Sequence, residues 1–257
     1  MRAIVVIPTY NEADSVQEAV ERVLIADPRV DVLVVDDGSP DGTAALVRAV
    51  AERNPRVHLL ERTAKQGLGA AYRAGFAWGL ERDYDAMVEM DADLSHPPER
   101  LPALLDGLDE ADLVIGSRYV PGGETVNWSP LRQAISRGGN AYVRLALGLP
   151  VHDATAGYRA YRRAVLEALE IAAVRSNGYC FQIEMVHRAW LEGFRVLELP
   201  ITFTERAAGV SKMSKQIVAE ALWRVTLWAA GGGRHPVRPL HPRSVAASRR
   251  SAPTPPP

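Results

Sequence analysis

Two acidic residues, Asp91 and Asp93, flank Ala92 directly after an apolar run, and this triplet offers the clearest chemistry in the sequence. Two carboxylates at positions i and i+2 of a strand point to opposite faces, but a turn can bring both toward one cation. Mg²⁺ and Mn²⁺ prefer oxygen ligands and share them with substrate phosphates. The triplet is a candidate metal site for a diphosphate, although a polar turn explains such an isolated pair more often.

A second acidic segment, Asp36-Asp37-Gly38-Ser39, also follows an apolar run. A carboxylate here can accept hydrogen bonds from ribose hydroxyls or from a base N–H. The alternative is an Asx-turn with Gly42 in the left-handed conformation. Glu12 has two similar interpretations, as a ligand contact or as an acid placed in the first turn of a helix.

Several cations lie in Gly- and Ser-rich surroundings, which suit contacts with phosphate oxygens. They are Arg118, Arg132, Arg206 and Lys212. Any one of them alone is more often a solvated surface cation or a member of a salt bridge. Ser136 lies four residues after Arg132, so the two can meet one phosphate from a helix face, or Ser136 can cap a helix. His96 can be a metal ligand, a base or a residue at a helix entrance.

Apolar runs alternate with helical patterns over the first 117 residues, which predicts a doubly wound, mostly parallel α/β sheet. The predicted strands are Ala3–Ile7, Val30–Val35, Val57–Glu61, Ala86–Met90 and Leu113–Ser117. Ligands bind such sheets beyond the carboxyl ends of the strands. The polar segments described above follow those ends, so we expect them to border one crevice.

The chain as a whole is predicted to have three parts. Residues 1–212 form the main α/β domain, which includes a helix from Ser136 to Leu147, one around Phe181–Trp190 and an edge strand over Arg195–Phe203. Residues 213–233 hold an amphipathic helix that either lies at a membrane interface or packs on the sheet. Residues 234–257 form a disordered, basic, Pro-rich tail that could attract anionic lipids.

Composition excludes some broad classes. The 257 residues carry a formal net charge of −1, which argues against general nucleic-acid binding. Hydrophobic residues make up 47% of the chain, enough for a full core. The single cysteine, Cys180, fits a reducing compartment. No apolar stretch is long enough for a transmembrane helix, so any membrane contact is expected to be peripheral.

Taken in order, the motifs resemble the inverting family-two glycosyltransferases of GT-A type. The resemblance rests on Pro8-Thr9-Tyr10-Asn11-Glu12, Val35–Thr43, Lys65–Gly69, Met90–Glu99 and Gly116-Ser117-Arg118-Tyr119. Further segments are similar to those of polyprenol-phosphate mannosyltransferases, also called dolichol-phosphate mannose synthases. These segments are Asn127-Trp128, Arg132, Ser136, Thr155–Arg159, Gly178-Tyr179, Gln182, Glu184-Met185 and Arg206–Lys212.

The resemblance implies a role for each matching residue. The donor nucleotide sugar would be bound by Pro8, Tyr10, Glu12, Val35, Asp37, Asp91, Ala92, Asp93, Arg118, Arg206 and Lys212. The lipid phosphate would meet Arg118, Arg132 and Ser136. Asp91, Asp93 and Arg118 would be catalytic. The metal, Mg²⁺ or Mn²⁺, would be held by Asp93 with Asp91. Ser95 stands where relatives often carry a Gln that can join the metal shell, and as a shorter ligand it can reach the metal through a water.

The implied activity is transfer of mannose from GDP-mannose to a polyprenyl phosphate with inversion. The resemblance also implies a peripheral enzyme on the cytoplasmic face of the membrane, with a possible membrane-protein partner. One alternative is transfer of another sugar, such as glucose. Another is a non-catalytic nucleotide-sugar binding subunit, which would require a damaged acidic or cationic site. A nucleotidyltransferase would instead carry a Gly-rich basic loop after the first strand, where this chain has Pro8–Glu12.

Overall fold

The computed structural model of the protein describes residues 1–205 and 215–231, and for residues 215–221 it describes the backbone alone. The strands in these ranges are β1 Ala3–Thr9, β2 Val30–Asp36, β3 Val57–Glu61, β4 Ala86–Glu89, β5 Leu113–Ser117, β6 Glu124–Val126, β7 Arg159–Arg162, β8 Val196–Pro200 and β9 Thr202–Thr204. The helices are α1 Val16–Ala26, α2 Thr43–Ala51, α3 Leu68–Leu80, α4 Leu101–Gly107, α5 Pro130–Leu147, α6 Arg163–Ala168, α7 Gly178–Leu191 and α8 Lys215–Ala230. Short 3₁₀ turns cover Pro98–Arg100 and Ile171–Ala173.

Seven strands form the central sheet in the order β3-β2-β1-β4-β7-β5-β8. Most neighbours are parallel, as the alternation of strands and helices predicts. β7 is the exception, because it runs antiparallel to both β4 and β5. The chain order reverses on either side of β1, since β2 lies on one flank and β4 on the other. Such a switch point is where this class of sheet binds its ligands.

The period-two alternation of side chains divides the core into two layers, one on each face of the sheet. In β1, Ile4 and Val6 join the cluster that packs against α3 and α7. Ala3, Val5 and Ile7 join the opposite cluster, which packs against α1 and α4. Every residue of β2 is buried, and all of them except Asp31 and Asp36 are apolar, as expected for a central strand of a parallel sheet.

Three elements differ from the sequence prediction. α5 begins at Pro130 rather than at Ser136, because Ser129 is the N-cap and its side chain accepts a hydrogen bond from the Arg132 N–H. The predicted edge strand over 195–203 is interrupted at Ile201: β8 forms the sheet edge, and β9 pairs with β6 in a separate two-stranded sheet. β7 was not predicted.

The predicted amphipathic helix corresponds to α8, which packs against α5 and α7 rather than on the sheet. Val225 is fully buried, and the hydroxyl groups of Thr226 and Tyr142 lie 2.7 Å apart. Leu222, Trp223 and Leu227 remain exposed. The predicted domain boundary at 212 and the predicted disordered tail, residues 234–257, lie outside the described residues. Within the described ranges, no helix is long and apolar enough to cross a membrane.

Candidate active site

A cavity of about 400 Å³ opens at the carboxyl edge of the sheet, beside the switch point. Its walls come from the segments that follow β1, β2, β4 and β5, as the sequence predicts. The predicted site residues that line it are Pro8, Tyr10, Glu12, Asp37, Asp91, Ala92, Asp93, Ser95, Arg118 and Arg132. The structure therefore brings together residues 91–95, called the acidic turn below, the second acidic segment and two of the predicted phosphate-binding cations.

The acidic turn is shaped by its own backbone. Leu94 has a φ of 60°, the left-handed conformation that a non-glycine residue adopts rarely. The turn lets the Ser95 N–H donate to Oδ1 of Asp93 over 3.1 Å. The Tyr72 hydroxyl lies 3.4 Å from Oδ1 of Asp91. Burial and the Asp91 carboxylate raise the pKa of Tyr72 well above its ordinary value, so its hydroxyl remains a proton donor.

The oxygen atoms of this turn fit a hard divalent cation. Ser95 is buried, and its Oγ contacts no hydrogen-bond partner among the described residues. An unpartnered buried hydroxyl beside two carboxylates is a ready oxygen ligand. The described part of the chain contains no cluster of three or more His, Cys, Asp or Glu side chains able to hold a metal. Ligand oxygens from a diphosphate would therefore have to complete the shell.

His96 is hydrogen-bonded to the backbone of the acidic turn. Its Nδ1 accepts a hydrogen bond from the Asp91 N–H over 3.1 Å, so in the neutral ring the proton resides on Nε2. The ring is buried against Tyr158, with centroids 5.2 Å apart, and against Phe203. His96 therefore positions the acidic turn, a role that the sequence analysis did not include among its three interpretations.

Two buried charged residues on the neighbouring strands β4 and β7, whose relation the sequence patterns did not reveal, lie close to the acidic turn. Glu89 is fully buried and faces Arg159 across the β4–β7 pairing. Burial raises the pKa of Glu89 to about 7, against the opposing effect of the Arg159 charge. The Arg159 guanidinium donates to the carbonyl oxygens of Ala154, Ala156 and Gln182, each over 2.7 Å. Arg159 thereby holds the loop that carries Gly157, another residue of the cavity wall.

In the second acidic segment, the carboxylate of Asp36 stabilises a turn and that of Asp37 lines the cavity. Asp36 accepts hydrogen bonds from Thr9 and from both the N–H and the hydroxyl of Ser39, so it forms the predicted turn. Gly42 has a φ of 91°, as that alternative requires. Asp37 lines the cavity, where its carboxylate accepts from Arg62 over 2.8 Å and from the Gln66 N–H.

Of the predicted nucleoside-binding residues, some line the cavity and Val35 does not. Tyr10 lines the cavity and carries the Lys65 ammonium 3.9 Å above its ring centroid. Val35 does not line the cavity, since its side chain is fully buried in the core. β2 directs this side chain toward α3, where an added Cβ at Gly75 would touch it. A contact with the nucleoside would therefore have to come from the Val35 backbone, and the assignment of Val35 to the donor site stays a prediction.

Arg118 lies in the cavity wall as a fixed cation. Its guanidinium forms a two-point ion pair with Asp153, with Nε and Nη2 2.7 Å and 2.6 Å from the carboxylate oxygens, and Nη2 also donates to Thr155. Both charged side chains are buried. Burial lowers the pKa of Arg118, but the charge and hydrogen bonds of Asp153 raise it more, so its net pKa lies above its ordinary value. The sequence analysis named Arg118 but not the carboxylate that orients it.

Arg132 and Ser136 lie on successive turns of α5 but have separate partners. Arg132 forms an ion pair with Glu205 and lies over the ring of Trp128, with Cζ 4.0 Å from the ring centroid. Ser136 accepts a hydrogen bond from the Tyr119 hydroxyl over 2.6 Å. Glu205 is 73 positions from Arg132 in the sequence, so this partner could be identified only from the structure. Arg206 and Lys212, the other predicted cations, lie outside the described residues.

A smaller cavity of about 70 Å³ adjoins the first and shares Arg118, Trp128, Thr155 and Tyr179 with it. Ser136 lines this second cavity rather than the first. The other lining side chains are mostly apolar and come from α5, α7 and α8: Ile135, Val143, Ile183 and Leu222. The arrangement joins a polar chamber, which suits a charged donor, to an apolar one, which suits hydrocarbon.

Comparison with known proteins agrees with this geometry. Residues 4–170 match the family model described as Glycosyl transferase family 2. A polyprenol monophosphomannose synthase from Mycolicibacterium smegmatis is 57% identical over 233 residues, which cover 90% of this chain and 88% of that protein. An undecaprenyl-phosphate mannosyltransferase from Micrococcus luteus is 55% identical over 228 residues, covering 89% and 94%.

A solved structure shares the fold at lower identity. It is a mannosyltransferase from Pyrobaculum calidifontis in complex with GDP-Man and Mn²⁺. The two chains superpose with a TM-score of 0.57 and 20% identity, covering 90% of this chain and 72% of that one. The mostly parallel sheet and its flanking helices are thus the GT-A architecture that the sequence motifs predict.

Proposed function

This chain belongs to glycosyl transferase family 2, and from that premise we propose that it transfers mannose from GDP-mannose to a polyprenyl phosphate. The reaction inverts the anomeric carbon and yields polyprenyl phosphate β-mannose and GDP. The named activities of the two similar proteins from Mycolicibacterium smegmatis and Micrococcus luteus support this choice of sugar and acceptor.

One observation carries the proposal. The acidic turn with Asp91 and Asp93 lines the same cavity as Arg118 and Arg132, and an apolar cavity adjoins it at the arginine end. A sugar diphosphate needs the acidic, cation-binding end, whereas a lipid phosphate needs the basic end with room for hydrocarbon. Because Arg118 lines both cavities, the cationic part of the site borders the apolar one, which supports an acceptor phosphate placed there.

A divalent cation, Mg²⁺ or Mn²⁺, fits the oxygen atoms of the acidic turn. Asp93 and Asp91 would hold it with the donor's phosphate oxygens, and the unpartnered Ser95 hydroxyl is the further candidate ligand. When bound, the cation neutralises charge that develops on the departing diphosphate. His96 and the left-handed Leu94 keep the turn in the shape that this requires.

The nucleophile in this reaction is an oxygen of the acceptor phosphate. A phosphate monoester has a second pKa of about 6, so at neutral pH this oxygen is already largely ionised. It forms a bond to the anomeric carbon as the bond from that carbon to the GDP oxygen breaks. No strong base is needed, so the residues act by positioning and charge stabilisation. Arg118, held by Asp153, and Arg132 would orient the acceptor.

The decisive experiment incubates radiolabelled GDP-mannose with polyprenyl phosphate and Mn²⁺ or Mg²⁺, followed by extraction of the lipid phase. We expect label in the lipid that depends on protein, acceptor and metal. A parallel reaction with radiolabelled UDP-glucose tests the donor. Lipid labelling from UDP-glucose and none from GDP-mannose would contradict the assignment of the sugar.

Peripheral attachment to the membrane is the second part of the proposal. Exposed apolar side chains on α5 and α8 form an apolar face next to the second cavity: Leu131, Ile135, Leu145, Leu222, Trp223 and Leu227. Amphipathic helices of this kind lie in the membrane interface with such a face inserted. This placement would deliver the acceptor phosphate to Arg132 without removing its chain from the lipid. Attachment at the cytoplasmic face, and through a membrane-protein partner, remain predictions.

A further inference from the structure

Trp128 lies at the junction of the two cavities and lines both. The residue is only 9% exposed, and within the described ranges its indole N–H meets no hydrogen-bond acceptor. Leaving a buried donor without a partner lowers the stability of a protein. Buried donors in native proteins usually have partners, so an unpartnered one in a cavity wall points to a ligand that supplies the acceptor atom.

A second unpartnered donor lies directly against this ring. The Arg132 guanidinium stacks over Trp128, and in the described structure its buried Nε has no hydrogen-bond partner, because Glu205 binds at Nη1. Arg118 lies on the same ring at 5.3 Å from Cζ to centroid. Two donors that lack acceptors, beside two guanidinium groups, define the missing group as an anion with more than one acceptor oxygen.

The indole ring is held in place rather than free to turn away. Asn127, directly before it, has a φ of 65°, a conformation that side-chain-bearing residues adopt rarely. Phe203 packs edge-on to the ring with centroids 5.6 Å apart. Ser129, directly after it, caps α5. Such preorganisation is typical of a ligand contact, since little conformational freedom is then lost on binding.

We propose that Trp128 contacts the substrate directly, its indole N–H donating to a phosphate oxygen of the polyprenyl phosphate acceptor. The inference rests on the proposed function and adds a residue to its acceptor subsite. The same phosphate accepts from Nε of Arg132 and replaces the Glu205 carboxylate as the anion paired with that guanidinium. A phosphate and a carboxylate present the same anionic oxygen acceptors, so the exchange preserves charge pairing at Arg132.

The acceptor is favoured over the donor diphosphate as the source of this phosphate. Trp128 also lines the second cavity, whose apolar side chains, such as Ile135 and Val143, suit the first carbons of a prenyl chain. The donor diphosphate has the acidic turn as its site. A phosphate that must touch both the polar chamber and the apolar one is therefore the one attached to the lipid.

The test measures binding without turnover. Farnesyl phosphate, a short acceptor analogue, is titrated calorimetrically into full-length protein, and GDP-mannose with Mn²⁺ is titrated separately. The variants are Trp128→Phe, which removes the N–H, and Trp128 replaced by 3-benzothienylalanine, which keeps the bicyclic shape without the N–H. Trp190→Phe, on an exposed part of α7, is the matched control.

We expect both Trp128 variants to bind farnesyl phosphate about tenfold more weakly, as loss of one hydrogen bond to a charged group implies. GDP-mannose binding and the control should remain unchanged. Wild-type affinity for farnesyl phosphate in the benzothienyl variant would overturn the role of Trp128 and leave the proposed function standing. Weakening of GDP-mannose binding alone would assign the contact to the donor and overturn the acceptor assignment. A wild type that binds no farnesyl phosphate would overturn the proposed acceptor itself.

Discussion

At the scale of single residues, the site consists of charged groups whose partners are already in place. Asp91 lies beside Tyr72 and His96, Asp37 faces Arg62, and Arg118 is clamped by Asp153. Fixing these groups before the substrate arrives avoids reorganisation during the reaction, which is how charge stabilisation becomes effective. The same pairing also means that a substitution can act on either the substrate or the fold, so each variant requires both measurements.

Asp93→Asn tests the acidic turn. We expect kcat to fall by at least about a hundredfold, because even residues that only orient a metal ligand change activity by up to that factor. The melting temperature should stay near that of the wild type, since the turn lies at the edge of the cavity. Asp109→Asn is the control, because that carboxylate is 87% exposed. Near-wild-type kcat in purified Asp93→Asn would contradict the metal role.

Glu205→Gln tests whether a carboxylate competes with the acceptor for Arg132. Removing the negative charge leaves the Arg132 guanidinium available, so the KM for polyprenyl phosphate should fall severalfold, as expected for a partly exposed ion pair of about 1 kcal/mol. The KM for GDP-mannose should not change. Glu124→Gln, on the neighbouring strand β6, controls for a general loss of charge. A raised acceptor KM in Glu205→Gln would indicate that Glu205 supports acceptor binding instead.

Asp153→Asn tests the clamp on Arg118. Leaving a buried guanidinium without its carboxylate should lower the free energy of unfolding by about 3–5 kcal/mol. Burial raises the pKa of Asp153, but Arg118 lowers it more, so the net pKa lies below its ordinary value. The stabilisation is thus present above about pH 4 and is lost as the pH falls below it.

Urea denaturation at pH 7 and at pH 3.5 measures this difference. The gap between wild type and Asp153→Asn should be large at pH 7 and smaller at pH 3.5. Asp109→Asn again serves as the control and should show little change at either pH. A gap that is constant between the two pH values would contradict the ion pair as its cause.

At the scale of secondary-structure elements, the close approach of α3 to β1 holds the site together. α3 begins beside the cavity, and its Gly75 packs against Val6 with no room for a side chain. Gly75→Ala should therefore lower the free energy of unfolding by about 1–3 kcal/mol. Gly138→Ala on α5 is the matched control, because an added Cβ there meets no atom within 4 Å.

The control should instead raise stability by up to about 1 kcal/mol, since alanine favours a helix over glycine. Chemical denaturation of the two variants beside the wild type gives both values. Equal effects of the two substitutions would show that helix propensity, and not the contact with β1, decides the stability of α3.

The sequence predicts the elements well where burial alone determines them. β2 is fully buried, and all its residues except Asp31 and Asp36 are apolar, so its bounds were predicted within one residue. β7 was missed because its four residues include two arginines, and the burial of Arg159 depends on carbonyl groups from other segments. Ser129 rather than Ser136 caps α5, because Pro130 can occupy the first helical position.

The site was predictable where its residues follow strand ends, and less so where a partner comes from afar. Asp91, Asp93 and Arg118 were all found on this basis. Asp153 and Glu205 have roles that depend on contacts between distant segments, for which single-sequence patterns carry no signal. Trp128 belongs to a segment that carries the family resemblance, but its position between the two cavities is visible only in the structure. Val35 was assigned to the donor site by resemblance alone. Its side chain lies in the core, so its role in nucleoside binding stays a prediction.

At the scale of the whole molecule, α5 and α8 carry most of the large exposed apolar side chains of the described residues. The exposed apolar residues of α5 and α8 lie on one side of the sheet, whereas α1 covers the other. The double variant Leu131→Ser with Trp223→Ser should reduce binding to anionic phospholipid vesicles at least about tenfold, since each side chain loses about 1.5–3 kcal/mol of apolar burial.

Flotation of the protein with vesicles measures this binding. Ile25→Ser is the control, because Ile25 is 83% exposed on α1, away from the proposed membrane face. An equal loss of binding in Ile25→Ser would show that general surface hydrophobicity, and not the face formed by α5 and α8, drives attachment.

The antiparallel strand β7 has a consequence for synthesis of the protein. β7 hydrogen-bonds to β4 on one side and β5 on the other, yet it follows both in the chain. A nascent chain that ends before Arg159 therefore presents the open edge of β4, and its β5 has no place in the sheet. Open strand edges favour wrong pairing. The ribosome must thus synthesise well over half of this chain before β7 can join β4 to β5. Chains that terminate within the first 158 residues should therefore be prone to aggregation.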